Sequence, residues 1–398
     1  MLSSPLSSGT VLAFLIRVMS DVNTTRLLSS EQLDALLAAL RQGGRLVVGP
    51  TVRDGAVTMG PIDAASDLPR GWVERHAPGS YRLEKTDSPA YFGFILGPDS
   101  LKASLYPPRV SLWRAERDGA GFSVQPGERP PAPLAVIGAR ACDLAAVAVQ
   151  DRVLRDGAFA DPHYASRRAD LLVVAVQCGD AAATCFCASM GTGPRVSSGY
   201  DLCLTEIVDD ARHVFAVEVG SPAGAAVLAR LDSALADAGD AARPARAAAD
   251  AESRMARSLP GVRTRDGLRQ ELLSALESDH WDAVARRCLG CANCTMVCPT
   301  CFCSQVTDLT DLTGAAERVR TWDSCFTMQH SYVHGGSVRT GLGARYRQWL
   351  THKLATWWDQ FDTSGCVGCG RCVTWCPAGI DIVQEAIAAS ASAETEAP

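Results

Sequence analysis

Residues 288–303 read CLGCANCTMVCPTCFC, six cysteines in sixteen positions. Residues 366–377 read CVGCGRCVTWCP, four more in twelve. Both blocks contain the run C-x-x-C-x-x-C-x-x-x-C-P. In the first it is Cys288, Cys291, Cys294 and Cys298, then Pro299; in the second it is Cys366, Cys369, Cys372 and Cys376, then Pro377. Three thiolates at short, even gaps can wrap three corners of one cubane 4Fe–4S cluster. The fourth stands at a wider gap before proline, is carried away from those three, and in two-cluster proteins serves the other cube. The spacing therefore predicts two clusters with crossed ligands: Cys288, Cys291, Cys294 and Cys376 for one, Cys298, Cys366, Cys369 and Cys372 for the other. Gly290, Gly368 and Gly370 fit this reading, because the backbone must approach sulfur closely there. Zinc is the simpler alternative for paired C-x-x-C sites. The third cysteine of each run and the Cys-Pro ending count against it.

A second set lies near the middle of the chain. Cys142 follows the apolar run LAVIGA (134–139), Cys178 follows LLVVAV (171–176), and Cys185 and Cys187 come soon after. Adjacent parallel strands would deliver Cys142 and Cys178 to the carboxyl edge of a sheet, where ligands bind in open α/β folds. Cys142 would also open a helix, which favours its thiolate. Cys142, Cys178, Cys185 and Cys187 are thus candidates for a third cluster; the bland alternative is four buried, inert thiols. Cys203 lies in an alternating, strand-like run and reads as core. Cys301, Cys303 and Cys325 exceed the eight ligands that two clusters need. They read as neighbours of a cluster or buried thiols, and a variant ligand set that includes them stays open.

The elements that must position these residues fall into two kinds. SSEQLDALLAALRQ (29–42) predicts a helix, with Ser29 and Gln32 as a capping box. RLVVG (45–49) predicts a strand. Residues 50–133 predict short strands joined by turns, with YFGFILG (91–97) among the apolar runs. CDLAAVAVQDRVL (142–154) has helical periodicity between two fully apolar strands, which points to a parallel sheet covered on both faces. Residues 222–258 are rich in alanine and read as helix, broken at Arg243–Ala245. Beyond LPGVRTRDG (259–267) the character changes. DGLRQELLSALESDHWDAVARR (266–287) and RYRQWLTHKLATWWDQF (345–361) read as long helices leading into the cysteine blocks, and residues 299–365 show no strand pairs. The expected fold is a mixed α/β domain (25–262) followed by a mostly helical, two-cluster ferredoxin-type domain (263–388). An extension (1–24) and a low-complexity tail (389–398) are expected to be disordered.

Bulk properties narrow the setting. The 398-residue chain has 16 cysteines, a pattern foreign to disulfide scaffolds of this size and matched to a reduced, cytoplasmic compartment. A net charge of −6 argues against a nucleic-acid partner or a polybasic membrane anchor. No apolar run approaches the ~20 residues of a membrane span. VLAFLI (11–16) has neither the basic flank nor the cleavage site of a signal peptide. Six of the eight tryptophans lie between Trp281 and Trp375, as a water-excluding shell or as ordinary core. His330 and His334 share helical spacing but form no metal set. The glycines at 191–193 and 341–343 are no dinucleotide fingerprint, though MGTGP (190–194) could line a cluster loop. No nucleophile elbow or P-loop is present. The residues describe a carrier of single electrons with no substrate site of its own. A cluster-based sensor, the reading from another class, lacks a basic recognition helix.

The motifs also carry a resemblance. RCLGCANCTMVCPTCFC, WDSCF (322–326), HGGSVR (334–339) and GCVGCGRCVTWCPAGID (365–381) resemble the iron–sulfur beta subunit of soluble cytoplasmic NiFe hydrogenases of the sulfhydrogenase type. That family is related to the A subunit of anaerobic sulfite reductase. LKASLYPPR (101–109), GARACDL (138–144) and CFCASMGTGP (185–194) are similar to the same family, so the likeness spans most of 25–385. It implies a heterotetramer, with large and small hydrogenase subunits and a flavin subunit binding FAD and NAD(P). This chain would pass electrons between them. The alternative it implies is the equivalent subunit of a sulfite reductase.

Overall fold

The computed structural model describes residues 22, 24–95, 97–119, 121–127 and 132–395, so the expected extension 1–24 lies almost wholly outside the described residues. Twelve strands precede the cysteine blocks. They are β1 (Thr25–Ser29), β2 (Leu46–Arg53), β3 (Ala56–Pro61), β4 (Trp72–Ala77), β5 (Ser80–Lys85), β6 (Arg109–Asp118), β7 (Gly121–Pro126), β8 (Leu134–Ala139), β9 (Leu172–Val176), β10 (Leu202–Val208), β11 (His213–Val219) and β12 (Ala234–Leu235). Eight of them form one sheet in the order β12-β1-β11-β10-β9-β8-β2-β3. Its centre is parallel, β2 to β8 to β9 to β10, and its flanks are antiparallel.

The apolar runs explain that centre. β8 and β9 are buried along their whole length, as strands covered on both faces must be. The helix Leu33–Leu40 and the helix Pro222–Leu228 pack on one face. The helix Ala141–Leu154 and Tyr164 pack on the other. The capping box is present, with the Ser29 N–H donating to Gln32 Oε1 at 3.0 Å.

Several expectations are corrected. Residues 91–95 are irregular rather than strand; the Tyr91 and Phe92 N–H groups donate to the Glu206 carboxylate, not to a neighbouring strand. Pro244 does mark the expected break in the alanine-rich stretch, since the helix Ala238–Ala241 ends just before it. It sits in the first turn of the helix Arg243–Ser253, where its missing N–H costs nothing. The helix expected over 266–287 is two short ones, Leu268–Ser274 and His280–Ala285. Ser278 Oγ accepts from the His280 N–H and starts the second. The tail does not fray at 389: helix Ile382–Thr395 carries it to residue 395, the rest lying outside the described residues, and Ala389 is fully buried.

The largest correction lies between the cysteine blocks, where no strand pairs are expected. β13 (Ser304–Thr310) and β14 (Ala316–Trp322) form a hairpin, and β15 (Tyr332–Val333) pairs with β16 (Gly336–Ser337). β14 also pairs with β6, giving a four-stranded sheet β13-β14-β6-β7 built from both halves of the chain. Polar residues on both faces of this ribbon hide it from a search for apolar alternation. Cross-strand charge pairs such as Arg318 with Asp308 at 2.7 Å, and strand pairing to β6, hold it instead.

The second cysteine block seats directly on the loop 182–193. The Phe186 N–H donates to Gly368 O at 2.8 Å, and Thr192 Oγ1 donates to Val367 O at 2.7 Å. Gly368 and Gly370 have φ of +63° and +74°. A Cβ on Gly370 would stand 2.3 Å from Thr184 O. Gly370→Ala therefore combines a left-handed backbone, which costs about 1–2 kcal/mol for a residue with a side chain, with a backbone clash. We expect the variant to melt several degrees below wild type in an anaerobic thermal scan; an unchanged melting temperature would contradict the close seating.

Candidate metal centres

The cysteines of the first block stand on short turns rather than long helices. Ala292 (φ +65°) and Gly290 (φ +62°) bend the chain so that Cys288, Cys291 and Cys294 face one cavity. Cys376 lines the same cavity, with Phe326, Tyr346, Trp349 and Ile380 as apolar walls. Backbone N–H groups point at two of these sulfurs, Gly290 to Cys288 and Ile380 to Cys376, each at 3.4 Å. The Tyr346 hydroxyl and the Trp349 indole N–H, on two of these wall residues, are buried without a hydrogen-bond partner. Sulfide or thiolate in the cavity would accept from them, so the donor set fits an iron–sulfur group. Burial pushes the Cys294 thiol well above the ordinary range, and neighbouring Cys325, Cys288, Cys376 and Cys291 add to it.

Cys298, the fourth cysteine of the first run, stands with the second block. Cys372 is pushed well up by burial and then by Cys366, Cys369 and Cys298. Cys366 is pushed up to about 12 by burial, against the Lys353 ammonium. The Gly368 N–H points at Cys366 Sγ at 3.4 Å, the counterpart of the Gly290 bond. Cys298 alone is held well below the ordinary thiol range. The hydrogen bond from Cys301 does most of this, opposed by burial and helped by Lys353, Thr300 and Lys102. Cys298 is thus an electrostatic neighbour of Cys366, Cys369 and Cys372, while Cys372 also lines the cavity of Cys288, Cys291, Cys294 and Cys376.

The third set also converges. Cys142 lies in the first turn of the helix after β8, and Cys178 follows β9 at the carboxyl edge of the sheet. Cys187 is pushed up by burial, then by Cys185 and Cys178, and Cys142 lies within electrostatic reach of Cys187. The helix start does not lower Cys142 as its position leads one to expect: burial first, then Asp143, push it well up. Gly193 of MGTGP packs against Cys187, where a Cβ would stand 3.1 Å from Sγ. Cys369 is the link outward, a neighbour of Cys142, Cys185 and Cys187, and Cys185 Sγ donates to its carbonyl at 3.9 Å.

The remaining thiols divide. Cys203 is fully buried in β10, as core. Cys301 bonds to Cys298, and Cys303 and Cys325 neighbour each other beside Lys353. His330 and His334 share no helix; His330 precedes the small hairpin β15–β16 and His334 lies in its turn. Among the described residues no three His, Cys, Asp or Glu side chains close on a single metal ion.

Sequence reasoning missed the buried cations. Lys353 Nζ lies 3.2 Å from Cys298 Sγ, and Arg371, 3% exposed, pairs with Asp143 at 2.9 Å beside Cys369. A signal was available: the 38 basic residues include only three lysines, Lys85, Lys102 and Lys353, and two of them are buried here.

Comparison with known proteins agrees with this geometry. Residues 287–380 match the family model of the 4Fe-4S dicluster domain. Sulfhydrogenase 2 subunit beta of Pyrococcus furiosus is 32% identical over 250 residues, 63% of this chain and 72% of that protein. No solved structure matches the chain.

The grouping is open to test through its one crossed member from the second block. In Cys376→Ser, electron paramagnetic resonance should show the cluster beside Cys288, Cys291 and Cys294 altered or lost. The signal of the Cys366–Cys372 side should persist. Loss confined to the latter would break the crossed grouping.

Proposed function

Because the chain belongs to the family of sulfhydrogenase beta subunits, we propose that it relays single electrons through three 4Fe–4S clusters between a NiFe hydrogenase pair and a flavin subunit. An iron–sulfur electron-transfer role follows from the family and the dicluster domain. The finer reading assigns Cys288, Cys291, Cys294 and Cys376 to an outer cluster. Cys298, Cys366, Cys369 and Cys372 hold a central one. Cys142, Cys178, Cys185 and Cys187 hold an inner one.

The observation that carries this reading is the order of the three sets. Cys372 of the central set neighbours Cys294 of the outer set. Cys369 of the central set neighbours three cysteines of the inner set. Such an arrangement supports stepwise transfer from one cluster to the next. The outer end opens to the surface at Cys291 and Leu289, the latter 68% exposed, where a partner's redox centre could approach. The inner end lies in the α/β unit, 25–262, and the other two clusters lie in 263–388.

The partners come from the relative's name, which identifies one subunit of a sulfhydrogenase. We assign this chain the large and small hydrogenase subunits and an FAD- and NAD(P)-binding subunit as neighbours, in a reduced cytoplasm. No described helix is long and apolar enough to cross a membrane.

The deciding experiment is metal analysis of the native complex, purified without oxygen through a tag on this chain. Nickel in stoichiometric amount would support the hydrogenase relay. Sirohaem without nickel would overturn it in favour of a sulfite reductase. Iron assigned to this chain should be about 12 atoms for three cubanes, against about 8 for two; the lower value would remove the inner cluster.

A further inference from the structure

We propose that Lys353 makes the central cluster the most easily reduced of the three, so that an electron entering from either end comes to rest there. This rests on the relay reading above, specifically on a cluster held by Cys298, Cys366, Cys369 and Cys372.

The geometry begins with a helical irregularity. The helix leading to the second block runs Leu342–Thr351, turns as a π-helix over His352–Thr356, and resumes at Trp357–Phe361. Lys353 lies in that π turn and is 3% exposed. Its Nζ donates to Cys298 Sγ at 3.2 Å, Thr300 Oγ1 at 3.0 Å and Gly365 O at 3.1 Å. An ammonium has three N–H donors, and all three are spent. Two go to neutral oxygens, so the thiolate is the one anionic partner among the three. Thr300 Oγ1 in turn donates to Gly365 O at 2.6 Å, which fixes the cradle.

Lys102 adds to the same side. Its Nζ donates to Met296 O at 3.0 Å and lies 3.8 Å from the ring centroid of Trp322. Its electrostatic neighbours include Cys301, Cys298 and Cys303. Arg371 lies beside Cys369, its charge paired with Asp143 at 2.9 Å.

Among the described residues, no cation beside the other two sets donates to a cysteine sulfur of its set as Lys353 does; Arg345, near Cys288, donates to the Phe326 and Thr340 carbonyls. Arg287, next to the outer set, is half exposed and bonded to Glu385 at 2.7 Å. Around the inner set, the buried Arg140 guanidinium donates to the carbonyls of Gln177, Phe92 and Phe94, and Arg371 pairs with Asp143 at 2.9 Å. A cluster gains one negative charge when it takes an electron, so a buried cation and an N–H bond to its sulfur both favour the reduced form. Lysine suits the task because it is a compact point charge with three rotatable donors.

The chain's three lysines allow a direct test. The protein is expressed with [15N]lysine, purified without oxygen, and reduced in steps with dithionite and mediators. The first cluster signal to appear should carry 15N modulation in pulsed electron paramagnetic resonance. Lys353→Arg should keep the order of reduction and lose the modulation. Lys353→Met should raise the oxidised-to-reduced ratio of that cluster about tenfold at fixed potential, a fall of about 59 mV for one electron. The other signals should stay put. The proposal fails if the modulation sits on a later signal or on none, or if it survives in Lys353→Arg. It also fails if Lys353→Met keeps its iron and its midpoints. Should that variant lose iron, the labelled wild type alone decides. A wild type without cluster signals would instead sink the relay reading itself.

Discussion

A thiolate held away from water is unfavourable unless positive charge meets it. That constraint shapes this molecule more than any other. Burial pushes Cys142, Cys187, Cys294 and Cys372 above the ordinary thiol range, and each thiol's neighbours push it further. Without metal these groups would sit as neutral thiols in a core. With iron the charge is met at the sulfur itself, and the free energy of binding becomes free energy of folding. The unpartnered donors of Tyr346 and Trp349 have the same meaning, since both residues line a cavity with cysteines and neither donor meets a protein acceptor.

The same constraint explains why the two halves of the chain are so interleaved. Cys298 stands with the cysteines of 366–372, and Cys376 lines one cavity with those of 288–294. The loop that carries Cys185 and Cys187 supplies Phe186, fully buried in the core of the second half. Lys102 reaches from the first half to the carbonyls of Thr295 and Met296, and Gln150 reaches Pro299 O at 2.9 Å. The hairpin β13–β14 returns to complete a sheet begun by β6 and β7. A water-excluding shell around buried sulfur needs walls from every side, and no single half of 398 residues provides them.

What the sequence made legible follows from what is local. Ligand spacing is fixed by the bite of a cubane, so C-x-x-C-x-x-C-x-x-x-C-P could be read without a structure. β8 and β9 were legible because a strand buried on both faces has few other compositions open to it. The hairpin β13–β14 was not, because its pairing to β6 spans about two hundred residues and leaves no apolar stripe. The break in 266–287 was hidden for another reason. Helical periodicity continues across it, and the turn shows in two local bonds, Trp281 Nε1 to Ala275 O at 2.7 Å and the His280 N–H to Ser278 Oγ. The neighbours of the cysteines were the least legible part. Lys353 stands 55 residues from Cys298, and only the scarcity of lysine marked it.

The π turn shows how one residue serves both fold and charge. A π turn shifts the hydrogen-bond ladder by one residue and so interrupts the α pattern. Here Lys353 O accepts from the Gly365 N–H at 2.8 Å and from Ser364 Oγ at 3.4 Å. The backbone of Lys353 thereby fixes the residues just before Cys366, while its side chain reaches Cys298. Two cysteines from distant parts of the chain are set by a single position. An ordinary α turn would give up this arrangement, and a lysine anywhere else on that helix would place its charge against a different wall. The irregular turn is thus explained by the sulfur it faces.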